Sequence, residues 1–230
     1  LSLEINVLIN QMICPSNPNE KLILALDGMD KEETFLILDQ LPNLLWVKVG
    51  LELFVSEGPQ ILAQLKNRGL KIFLDLKFHD IPATMRGACR KAAKYGVDLI
   101  SVHACAGTSA LFEANEAAKE GAVKGGFPPP TLLAVTILTS WGDDKYSKEL
   151  IINQSIKERV KILSELAFKS GIGGCVCSSD EVNALRQIYP LPCELITPGI
   201  RPRGISLNDQ ARVTTPLEAI KNGASKLVIG

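Results

Sequence analysis

Eight short apolar runs, each followed by an amphipathic stretch, constrain this chain more than any other feature of its sequence. The runs cover residues 22–27, 45–50, 71–77, 98–103, 131–138, 174–177, 194–199 and 226–230. They are rich in Val, Ile and Leu and too short for buried helices. Continuous apolar runs, rather than alternating ones, suit parallel strands covered on both faces. Between them, residues 31–41, 60–67, 84–95, 109–120, 156–169 and 180–188 carry apolar side chains at helical spacing. Asn67-Arg68-Gly69 and Asn222-Gly223 read as helix stops. Eight strand–helix alternations predict an α/β fold, the (β/α)₈ TIM barrel. An open doubly wound sheet would need fewer strands and a Gly-rich turn after the first run. The chain's 230 residues suit one barrel of about 250.

This predicts a single barrel catalytic domain over residues 21–230, with residues 1–20 capping its floor. The last run ends at Gly230 with no eighth outer helix behind it, so a C-terminal helix is expected to be missing from the chain.

Charge and cysteine content narrow the function classes. Lys plus Arg and Asp plus Glu each number 25, for a formal net charge of zero. A general nucleic-acid binder carries excess positive charge, so no nucleic-acid partner is expected. No apolar run reaches 18 residues, so no membrane span is expected. Six cysteines (Cys14, Cys89, Cys105, Cys175, Cys177, Cys193) are spread along the chain, and the apolar residues 1–9, with Glu4 and Asn6 and no basic start, are not expected to be a signal peptide. Most of them read as small core residues in a reducing, cytoplasmic setting.

Barrel active sites lie at the C-terminal ends of the strands. There the runs are charged: Asp27 ends the first, Lys48 lies in the second, and Asp75-Leu76-Lys77 ends the third, with Asp80 in the next loop. Residues two apart in a strand share a face, so Asp75 and Lys77 are expected to enter the barrel mouth together, with Cα atoms about 6.6 Å apart. One such charge alone would be a solvated strand end. Four of both signs on three adjacent strands are costly to bury unless paired, and such groupings mark functional sites. Other residues read as structural. His79 packs or hydrogen-bonds. His103 is one histidine with no second nearby, so no metal is expected. Trp46 and Trp141 pack in the core, Phe127-Pro128-Pro129-Pro130 leads stiffly into the fifth strand, and Asp143-Asp144 forms a solvated turn.

The stretch Asp75-Leu76-Lys77-Phe78-His79-Asp80-Ile81-Pro82 resembles the Asp-x-Lys-x-x-Asp signature of the orotidine 5′-monophosphate decarboxylase family. Ala25-Leu26-Asp27, Val47-Lys48-Val49-Gly50, Leu138-Thr139-Ser140 and Thr197-Pro198-Gly199-Ile200-Arg201 are similar to its other motifs, in the same order. The resemblance implies cofactor-free and metal-free decarboxylation of orotidylate to uridylate in pyrimidine synthesis. It implies a catalytic array of Lys48, Asp75, Lys77 and Asp80, with Asp80 and Thr84 reaching the partner's site in a homodimer. It implies that Asp27 and Lys48 hold the ribose, that Thr139 lies near the pyrimidine, and that Arg201 binds the phosphate. Gln210 would help close the 197–210 loop, and Ile81 and Gly230 complete the substrate-binding set. The family usually continues past Gly230 with a phosphate-binding Arg. Two rivals share parts of this pattern. Related sugar-phosphate barrels, such as 3-keto-gulonate-6-phosphate decarboxylase and hexulose-phosphate synthase, need Mg²⁺ and have a metal-binding carboxylate where this chain has Lys48. A non-catalytic barrel would bind a nucleotide without turning it over.

Overall fold

The computed structural model describes residues 18–200 and 214–230. Eight parallel strands close into a barrel in sequential order. They are β1 (Leu22–Ala25), β2 (Trp46–Val49), β3 (Lys71–Phe78), β4 (Leu99–His103), β5 (Thr131–Val135), β6 (Gly174–Val176), β7 (Glu194–Thr197) and β8 (Lys226–Ile229). The barrel closes where Leu22 of β1 pairs with Leu227 of β8. Helices α1 (Lys31–Asp39), α2 (Leu51–Glu57), α3 (Gln60–Asn67), α4 (Pro82–Ala93) and α5 (Thr108–Gly125) follow the first four strands. Helices α6 (Asp143–Leu150), α7 (Ile156–Lys169), α8 (Ser179–Ile188) and α9 (Pro216–Lys221) complete the ring among the described residues.

Strand alternation sorts the core into two layers. Ile23, Trp46, Phe73, Leu99, Leu133, Ile196 and Val228 pack together in the barrel interior. Their strand neighbours, such as Leu24, Val47, Leu74, Ile100 and Leu195, face outward and pack with the helices. Trp46 sits at the floor with the Lys71 and Lys226 ammonium groups 5.3 and 5.0 Å from its ring centroid. It is a packing residue, as its place in an apolar run predicts. Lys226 also donates to Glu194 Oε1 at 2.9 Å.

The helices start where their sequences cap them. Asp30 and Glu33 form a reciprocal capping box on α1, and Ser155 and Glu158 form another on α7. Three helices escape the periodicity reading: α2, α6 and α9, each eight residues or shorter. The Asp143-Asp144 pair is exposed, as expected, but it does not form a separate turn. It forms the first turn of α6, where carboxylates complement the helix dipole. Asp143 Oδ1 also accepts from the Ile156 N–H at 3.2 Å, tying α6 to the start of α7.

Of the described cysteines, Cys89, Cys175 and Cys177 are buried and Cys193 is half-buried. Burial pushes the Cys89 thiol up to about 12 and the Cys193 thiol to about 11, so both stay protonated and inert. Cys105 is exposed, the exception among the described cysteines. Cys14 and most of the proposed floor cap at 1–20 lie outside the described residues. No helix among the described residues is long and apolar enough to cross a membrane.

Candidate active site

Six of the eight strands end earlier than the apolar runs that predicted them, whereas β4 ends where its run does and β3 continues to Phe78. Residues 26–27 after β1, 136–139 after β5 and 198–199 after β7 leave the sheet at the barrel mouth. They help enclose a cavity of about 560 Å³, within the range of about 300–1,000 Å³ typical of small-molecule sites. Asp27, Lys48, Asp75, Lys77, Thr139 and Gly230 all line it.

Asp75 is the centre of the charge network. Its Oδ2 lies 2.9 Å from Lys77 Nζ and 3.6 Å from Lys48 Nζ. Lys48 donates in turn to Asp27 Oδ2 at 2.6 Å. Lys48 and Asp75 are both buried, whereas the Asp27 carboxylate is half open to the mouth. Burial of these charges is tolerated because each meets an opposite partner. The chain bends closely to achieve this. A Cβ on Gly50 would collide with Asp27 Oδ1, and one on Gly230 would come within 2.9 Å of the Ala25 Cβ.

Asp75 and Lys77 do enter the mouth together, but simple strand alternation is not the whole reason. The β3–β4 register shifts between Leu74 and Phe78: four residues of β3 advance against two of β4. Lys77 sits inside this irregularity with φ of 51°, in the left-handed region. Ser101 of β4 holds the distortion. It is fully buried, its hydroxyl donates to Asp75 Oδ1 at 2.8 Å, and it accepts from the Lys77 N–H at 2.9 Å. Ser101 thus orients the carboxylate and anchors the strained backbone of its neighbour. Sequence reasoning passed over it. The available signal was a single hydroxyl at an inward position of an otherwise apolar run.

Asp80 does not join this network within one chain. Its carboxylate is exposed, and Oδ1 accepts from the Ile81 N–H at 2.7 Å. Ile81 is 65% exposed and caps the start of α4, while Thr84 is exposed in its first turn. Arg201 and Gln210 lie outside the described residues. Ile200 and Thr214, on either side of the undescribed residues, form a parallel bridge.

The expectation of an isolated His103 is overturned. Parallel pairing of β3 with β4 brings His79 next to it, with ring centroids 5.3 Å apart. Adjacency of strands, invisible in a linear spacing of 24 residues, accounts for the difference. Burial lowers the His103 pKa, the nearby His79 and Lys77 charges lower it further, and Asp75 partly opposes them.

The family model described as "Orotidine 5′-phosphate decarboxylase / HUMPS family" matches residues 20–230. The chain belongs to that family. It is 60% identical over 214 residues to the orotidine 5′-phosphate decarboxylase of Prochlorococcus marinus (strain NATL2A), covering 93% of this chain and 89% of that protein. It is 59% identical over 215 residues to the protein of the same name from Parasynechococcus marenigrum (strain WH8102), covering 94% and 87%. The crystal structure of orotidine 5′-phosphate decarboxylase from Lactobacillus acidophilus superposes with a TM-score of 0.81 at 35% identity, covering 92% of this chain and 90% of that one. Within the matched span, Asp75 and Lys77 of β3 and Lys48 of β2 lie at the barrel mouth.

Proposed function

We propose that the chain decarboxylates orotidine 5′-monophosphate to uridine 5′-monophosphate and CO₂, as a cytoplasmic enzyme of pyrimidine synthesis. The observation that carries this reading is Asp75 Oδ2 held between the Lys77 and Lys48 ammonium groups at the wall of the cavity. The names of relatives at about 60% identity support the substrate assignment.

In the proposed reaction the bond from C6 to the carboxyl carbon breaks, and its electron pair stays on C6. That carbanion lies in the ring plane and is poorly delocalised. Catalysis therefore requires charge stabilisation that grows toward the transition state. The Lys77 ammonium supplies it and then donates its proton to C6. Asp75 crowds the substrate carboxylate. Two unit charges 4 Å apart interact by about 4 kcal/mol at an effective dielectric near 20, and loss of neutral CO₂ relieves that repulsion. Ser101 acts as a positioning residue for both groups. Asp27 and Lys48 bind the ribose hydroxyls, Thr139 faces the pyrimidine, and Gly230 lets the backbone approach the ligand. Arg201 holds the phosphate and Gln210 helps close the loop, so remote binding energy drives closure.

The exposed Asp80, Ile81 and Thr84 on one rim support a homodimer in which each subunit completes the other's site. The array then alternates Lys48, Asp75, Lys77 and the partner subunit's Asp80. Lys48 also argues against the Mg²⁺-dependent branch of the family. Its ammonium lies among the carboxylates that would otherwise attract a divalent cation there.

The test is the ultraviolet absorbance of orotidine 5′-monophosphate with the protein and excess chelator. Loss of the orotate band with uridylate as product is expected. A flat trace, together with uridylate binding, would instead identify a binding relative.

A further inference from the structure

The reaction proposed above uses Lys48, Asp75 and Lys77 but leaves a second group of donor side chains at the same rim without a task. In the β3–β4 pair, Phe78 lies opposite Val102. The next residue along the chain is a histidine in each case, His79 just after β3 and His103 at the end of β4, so the two rings emerge side by side, tilted by 35°. Directly after β4 the chain turns through a short 3₁₀ segment, Ala104–Ala106. That turn carries Cys105 back toward the pair, with Sγ 3.8 Å from His79 Nε2. One donor atom from each of the three residues lies within 4.8 Å of the other two. His79 and Cys105 are exposed and His103 is half-buried, so solvent reaches the group directly.

We propose that His79, His103 and Cys105 bind a borderline-soft divalent cation of the Zn²⁺ class at the rim of the barrel, outside the decarboxylation chemistry. Two imidazole nitrogens and one sulfur select such an ion over Mg²⁺ or Ca²⁺, which take oxygen ligands. Tetrahedral zinc with bonds of about 2.3 Å to sulfur and about 2.0–2.1 Å to nitrogen separates S from N by about 3.6 Å, and N from N by about 3.4 Å. The sulfur–nitrogen distance of 3.8 Å is already close to that value. Rotation of the exposed His79 and Cys105 side chains toward His103 would close the rest. The three ligands leave a fourth position for water. Binding replaces the thiol proton of Cys105 with the metal and releases that proton to solvent.

The inference does not rest on the decarboxylase reading, and its readout is binding rather than turnover. The full chain is stripped with chelator and titrated with Co²⁺ as a spectroscopic probe, then with Zn²⁺ as competitor. One equivalent of Co²⁺ is expected to give a thiolate-to-cobalt charge-transfer band that Zn²⁺ abolishes. Loss of an outer-shell partner alone costs about 10–100-fold in metal affinity, so Cys105→Ser, which removes a direct ligand, is expected to abolish the band and weaken Zn²⁺ binding by at least about 100-fold. His103→Gln is expected to weaken binding as well. Cys14→Ser is expected to leave the band unchanged. A cobalt spectrum with no thiolate band overturns the proposal. So does a band that survives Cys105→Ser or disappears in Cys14→Ser. Cys105→Ala serves as a second variant at the same position, and a thermal melt that matches the parent's separates ligand loss from misfolding.

Discussion

The two ends of this barrel both place charges inside it, and they use them differently. At the floor, Lys226 meets one carboxylate oxygen of Glu194 at 2.9 Å and lies over the Trp46 ring. That is a local pair around a large packed side chain. At the mouth, one oxygen of Asp75 is shared between two lysines, while Ser101 occupies the other. A cavity opens beside it. The floor spends its polar groups on closing the interior. The mouth holds paired charges fixed beside a cavity, the preoriented arrangement that electrostatic catalysis requires.

This contrast can be broken most sharply at Lys77. Lys77→Ala is expected to lower kcat by at least about 10⁴-fold, since general-acid and electrostatic contributions are both lost. Uridylate binding, followed by calorimetry, should persist. Substantial turnover in that variant would remove the proton-donor role.

Next in size is recovery by mixing. Lys77→Ala and Asp80→Ala proteins are each expected to be inactive. In the proposed homodimer, mixing makes half the dimers hybrids with one complete site, so about a quarter of the parent activity should return. No recovery, with subunit exchange demonstrated by mass spectrometry, would rule out a shared site.

Ser101→Ala sharpens the distinction between acting and positioning. Loss of a hydrogen bond to a charged group costs about 1.5–3 kcal/mol. If that cost falls on the transition state, kcat drops by about 10–100-fold while KM changes little. An equal change in KM would assign Ser101 to substrate binding instead.

The floor should respond in the opposite sense. Lys226→Met leaves kcat unchanged but removes the Glu194 partner and the contact over Trp46. A loss of about 1 kcal/mol shifts Tm by about 2–4 °C in a domain of this size. A fall in kcat without a shift in Tm would erase the contrast between the two ends.

The smallest effect is a pH dependence. The folded state lowers the His103 pKa from its ordinary 6.5, chiefly through burial. Below 6.5 the unfolded chain therefore binds more protons than the folded one at this residue. Its contribution to stability is fully present above 6.5 and is lost as the pH falls toward the folded-state value. Denaturant melts in chelator should show this decline, and His103→Gln should flatten it.

Much of this molecule is legible in its linear sequence because buried strands and amphipathic helices have different periods. Eight apolar runs separated by helical stretches determine the barrel, and α7 occupies the predicted 156–169 interval residue for residue. Lys48, Asp75 and Lys77 stand out because charges at the ends of apolar strands need partners. The eight-residue α6 escapes because it buries only Tyr146, whereas α3 of the same length buries Ile61, Leu62 and Leu65 and shows its apolar stripe in the sequence. The role of Ser101, the left-handed backbone at Lys77 and the approach of His79 to His103 depend on which strands lie side by side and in what register. Those relations join residues 24 to 26 positions apart, and local pattern carries no record of them. Composition and periodicity determined that a barrel forms and which face bears charge. Only the closed sheet decided which side chains share one carboxylate, because hydrogen-bond register between neighbouring strands is settled by packing of the whole.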